Sequence, residues 1–66
     1  MDQLDLMLSK LLTQLKEKKY SPLERATILK AIGAKEQSKK VKVMEKAIHI
    51  CSTEPKEKAT QMILDL

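Results

Sequence analysis

The sequence predicts an all-α fold: a small compact bundle of about four helices, with a long first helix and a central third one. Three observations lead there. Leu, Lys, Ala, Met, Glu and Gln dominate the composition, and these residues lose little side-chain freedom in a helix. Turn and strand chemistry is scarce, with 1 glycine, 2 prolines and Tyr20 as the single aromatic. The few breakers fall in three clusters, and between them apolar residues recur at helical spacing.

The first helix is predicted near 2–19. Leu4, Met7, Leu8, Leu11, Leu12 and Leu15 fall on one face, with Ser9, Thr13, Lys16 and Glu17 turned away. That stripe reads as core rather than as a helix for a partner's groove, and Leu6 lies off it. The first break is Tyr20-Ser21-Pro22-Leu23-Glu24. Ser21 suits the N-cap, Pro22 the first helical position, and Glu24 closes a capping box.

The second helix, near 22–32, is short. Ile28, Leu29 and Ile32 form its apolar side, and Ala26 permits a neighbour to approach closely. Gly33 stands where a left-handed residue would end it. The third helix, near 35–51, carries two adjoining apolar rows: Ala34, Val41, Met44, Ile48 and Cys51 in one, and Val43, Ala47 and Ile50 in the other. A helix apolar over more than half its circumference is either central or shares its second row with another chain. Val43, Ala47 and Ile50 are therefore the candidate interface of a homodimer. The third break is Cys51-Ser52-Thr53-Glu54-Pro55, with Ser52 or Thr53 as cap and Pro55 in the first turn of a fourth helix near 54–65. Ala59, Met62, Ile63 and Leu66 share one side of that helix while Leu64 points elsewhere. So short a helix must dock to persist.

Sixty-six residues predict a single helical domain over 1–66, with a small share of surface to bury. One cysteine makes no internal disulfide, and no Cys/His cluster offers a structural metal, so self-association is the expected remaining device. A lone Cys51 suits a reducing compartment and points to the cytoplasm. Met1-Asp2-Gln3 lacks the positive start of an export signal, and no apolar run approaches the ~18 residues of a membrane span. A soluble protein is expected.

Between Lys30 and Lys46 there are six lysines (Lys30, Lys35, Lys39, Lys40, Lys42, Lys46) and two acids (Glu36, Glu45), a balance of +4. The whole chain has 13 basic and 9 acidic residues, so the remainder, seven against seven, is neutral. Lys35, Lys39, Lys42 and Lys46 are spaced by four, three and four, which puts them on one helical stripe. Such a stripe suits phosphates, an anionic membrane surface or an acidic protein, and it is also what a merely solvated face looks like. A helix-turn-helix over Gly33 would present Lys35, Gln37, Ser38, Lys39 and Lys42. However, Arg25 is the only arginine for reading guanine, and Lys39 and Lys42 land where that motif buries apolar residues. Single-stranded nucleic acid would need more aromatics than Tyr20.

Catalysis is not expected. His49 and Cys51, two apart on a helix, point about 200° from one another, so they do not form a base-nucleophile or metal-binding pair. Cys51 reads as core and His49 as surface. The carboxylates have no defensible dyad spacing, and there is no Gly-rich phosphate loop. No cofactor, metal or small-molecule substrate is called for. The expectation is a non-enzymatic binding module, an adaptor, inhibitor or regulator acting on another protein. The alternative is a DNA-binding regulator using the lysine face.

Overall fold

Four helices follow one another in the computed structural model, which describes residues 3–66. They are α1 (Gln3–Glu17), α2 (Pro22–Gly33), α3 (Gln37–Thr53) and α4 (Lys56–Leu64), and the described residues contain no strand. The expected helix start at Asp2 lies outside the described residues. The α3 helix packs against each of the other three, most extensively against α1, while α2 and α4 also meet. The third helix is thus the central one. Among the described residues no helix is long and apolar enough to cross a membrane.

Each helix reaches the core through residues three or four apart, as a helical stripe requires. α1 supplies Leu11 and Leu15, α2 supplies Ile28 and Ile32, and α4 supplies Ala59 and Ile63, all 0–2 % exposed. α3 contributes Met44, Ala47, Ile50 and Cys51. Burying a branched aliphatic side chain contributes roughly 1.5–3 kcal/mol, so these residues carry the fold. The sequence-predicted stripes are largely those that pack: Leu4, Met7, Leu8 and Leu29 lie partly buried against the same cluster. Some positions differ: Met62, expected to face inward, is 38 % exposed, Ala26 is on the surface, and Ala34, expected in the first apolar row of the third helix, is exposed in the turn before it.

The helix ends depart from expectation more than the helix faces do. α1 stops at Glu17 because Lys19 turns left-handed at φ 61°. The Tyr20 N–H then donates to the Leu15 carbonyl at 3.0 Å and the Lys19 N–H to the Lys16 carbonyl at 3.1 Å, the paired closure of a Schellman turn. Leu15 and Tyr20, the two ends of that closure, are both in the core. Gly33, expected to supply the left-handed residue of α2, instead remains helical, and Ala34 caps the helix at φ −78°, ψ −11°. Ser52 and Thr53 do not cap α4. They form the last turn of α3, their hydroxyls donating back to the carbonyls of Ile48 (2.9 Å) and His49 (3.1 Å), and Pro55 occupies the α4 N-cap itself.

Candidate functional site

The lysine face of α3 is built by a helix that must turn its other sides to the core. With Met44, Ala47, Ile50 and Cys51 facing in, Lys39, Lys42 and Lys46 are left exposed on one stripe. These three lysines, with Ser38, Val43 and Leu66, line a groove of about 410 Å³. Val43 and Leu66 are half-buried and packed against the core, so the groove joins an apolar floor to a cationic edge. Among the described residues the ion pairs run between Lys56 and Glu24 (3.5 Å) and between Lys58 and Glu54 (3.3 Å). None involves an α3 lysine.

Lys35, the fourth member of the predicted stripe, is placed elsewhere. α3 begins at Gln37, so Lys35 sits in the preceding turn, half-buried, its N–H donating to the Ile32 carbonyl at 3.1 Å. Ser38 takes its place along the groove, and the signal was present in the spacing, since 38, 42 and 46 step by four. Leu66 carries no such signal; only the return of α4 beside α3 brings it to the groove. Arg25, the one arginine, is half-buried on α2 with its Nε enclosed, and it does not line the groove.

The second apolar row of α3 lies inside the fold. Ala47 is 0 % and Ile50 8 % exposed, and Val43 packs against the core from the groove floor. Two of the three residues expected to meet a second copy, Ala47 and Ile50, are thus covered by the chain itself, and Val43 is left half-buried. Large apolar residues that do face solvent lie on the other helices, among them Leu23 (76 %) and Leu6 (49 %).

His49 is exposed while Cys51 is fully buried, so the two remain apart as their spacing requires. Cys51 belongs instead to a buried chain of polar contacts. Its thiol donates to the Tyr20 Oη at 3.9 Å, and the Tyr20 hydroxyl donates to the Lys56 carbonyl at 3.3 Å. Burial, reinforced by the neighbouring thiol, pushes the Tyr20 phenol up to about 12, and burial also raises Cys51. A thiol held in its neutral form is a poor nucleophile, so this contact serves to tie α3, the α1–α2 turn and α4 together. Among the described residues no three His, Cys, Asp or Glu side chains converge to hold a metal ion.

No family model matches the chain, and neither a curated protein nor a solved structure shows significant similarity to it.

Proposed function

We propose that the chain is a non-enzymatic binding module that works by contact with another protein, as an adaptor, inhibitor or small regulator, through the groove on α3. The observation that supports this reading is the combination at one place of three exposed, unpaired lysines with the apolar floor of Val43 and Leu66. Cations alone suit any polyanion, whereas an apolar floor adds affinity only for a ligand with apolar groups to bury. A protein surface offers both; the phosphate face of a duplex offers charge alone.

Duplex DNA is the competing partner, favoured because none of these lysines forms an ion pair among the described residues. Immobilised chain, wild type and a Lys39→Gln, Lys42→Gln, Lys46→Gln variant, is exposed to lysate with and without nuclease. Exposed lysines tolerate this change with little effect on stability. Proteins retained after nuclease by wild type and lost by the variant are the expected result. The reading is overturned if nuclease removes all retained material. It is also overturned if labelled duplex binds with a salt slope that the variant flattens by roughly 3 units, near one per phosphate contact. Self-association through Val43, Ala47 and Ile50 is not part of this proposal, because Ala47 and Ile50 are buried by the chain itself and only Val43 reaches the groove.

A further inference from the structure

We infer that the groove takes a helix: an acidic amphipathic segment whose carboxylates repeat with the lysine spacing and which sets one apolar side chain on Val43 and Leu66. This rests on the protein-binding reading above and names the chemistry of its partner. Lys39, Lys42 and Lys46 are three and four residues apart on a straight element. With a rise of about 1.5 Å per residue they span about 10.5 Å along the α3 axis, two helical turns. A helix lying alongside α3 repeats that spacing with carboxylates at i, i+3 and i+7. It brings an apolar residue at i+4 to the level of Val43, on the same face within about 100°.

An extended chain, by contrast, alternates its side chains and advances about 3.3 Å per residue, so it passes the whole lysine row within about three residues and offers at most two carboxylates on the facing side. Charge complementarity sets the sign of the partner. The segment from Lys30 to Lys46 holds six basic and two acidic residues, and the α3 first turn contains no acid. Acidic residues brought alongside meet both the lysine row and the positive end of the α3 dipole. The floor sets the need for an anchor, because Val43 and Leu66 are only half-covered by the chain itself.

The experiment titrates the isotope-labelled full chain with a stapled helical peptide carrying Glu at i, i+3 and i+7 and Leu at i+4. The controls are a scrambled peptide of equal composition and a duplex DNA, and amide resonances are the readout. Saturating shifts confined to Ser38–Lys46 and Leu66, at least tenfold weaker binding of the scrambled peptide, and a further tenfold loss on replacing the anchor Leu with Ser are expected. Lys42→Glu should weaken the patterned peptide at least tenfold, and a peptide with its middle Glu changed to Lys should restore the affinity. That reciprocal rescue is not produced by a general loss of charge.

Equal binding of patterned and scrambled peptides at the groove overturns the helical pattern while leaving the protein-binding reading in place. So does absence of any saturable shift with the patterned peptide when the lysate result stands. Tighter binding of duplex than of peptide on the same resonances overturns both. Lys42 is exposed and makes no ion pair among the described residues, so the Lys42→Glu variant should keep its fold. A melting curve matching wild type confirms that any loss belongs to the contact.

Discussion

The two joints that flank α2 are built in opposite ways. At the α1–α2 joint every residue from Lys19 to Glu24 except Pro22 and the exposed Leu23 has a defined task. Lys19 reverses the chain, Tyr20 is buried beneath it, and Ser21 and Glu24 exchange hydrogen bonds of 3.1 and 2.8 Å in a complete capping box. Glu24 also pairs with Lys56, tying the joint to α4. At the α2–α3 joint Gly33 and Ala34 are exposed, and Glu36 caps α3 without a side-chain hydrogen bond. Lys39 and Lys40 then stand in or beside a first turn in which Glu36, at the N-cap, is the one nearby acid to set against the helix dipole. One joint is fastened by side chains, whereas the other leads into the basic face with no side-chain hydrogen bond at its cap.

The largest expected effect breaks the first joint from beneath. Leu15 is fully buried and its carbonyl closes the turn, so Leu15→Ala should cost about 2–5 kcal/mol, whereas Gln37→Ala at the second joint should stay within about 0.5 kcal/mol. Denaturant melts of the two variants check the contrast. If the two costs were similar, the distinction between a packed and an unpacked joint would be lost.

Alkaline pH tests the same joint without mutation. Burial pushes the folded phenol of Tyr20 up to about 12 from an ordinary 10.0, so the fold holds its proton more tightly than the unfolded chain does. The resulting stabilisation is fully present below pH 10 and is lost as pH rises towards 12. Because Tyr20 is the sole tyrosine, the ultraviolet absorbance of tyrosinate reads this directly. A midpoint near 10 in the folded protein would mean that the ring is not enclosed.

Removing the cap is next in size. Ser21→Ala should cost about 0.5–2 kcal/mol, since the Glu24 N–H loses its acceptor. Glu24 itself is held below the ordinary carboxylate range, chiefly by the Ser21 N–H and also by the Lys56 ammonium. Its contribution is present above that range and fades as pH falls through the lowered value. Alanine keeps the backbone N–H that holds the Glu24 carboxylate, so calorimetric melts at neutral and acid pH should show nearly the same Ser21→Ala penalty. A penalty that vanished in acid would mean that the Ser21 hydroxyl, not its N–H, holds Glu24.

The smallest effects sharpen the comparison by trading residues between the joints. Lys19→Gly should stabilise by about 0.5–1 kcal/mol by relieving a left-handed side chain. Gly33→Ala should stabilise by about 0.4–1 kcal/mol, because Gly33 is helical and a Cβ there meets nothing within 4 Å. Thermal shifts of a few degrees upward for both are expected. A fall for Gly33→Ala would place that residue back in the left-handed role.

What the sequence determined by itself was local. Helical period put Leu11, Leu15, Ile28, Ile32, Ala59 and Ile63 on inward faces, and the Ser21-Pro22-Glu24 spacing marked the start of α2, because a capping box closes between atoms three residues apart whatever surrounds it. Lys18-Lys19-Tyr20 gave no sign of a left-handed turn, and Gly33 gave a misleading one, because φ at a helix end answers to where the chain must go next. Tyr20 has to reach the core, and that burial holds Lys19 at φ 61°, while the turn after α2 closes through Ala34 and Lys35 and leaves Gly33 helical. The lysine row was legible as spacing. That Lys35 drops out of it, that Leu66 joins it, and that Ala47 and Ile50 turn inward while Val43 floors the groove depend on the packing of α1 and α4 against α3, contacts between residues distant in sequence that no local pattern encodes.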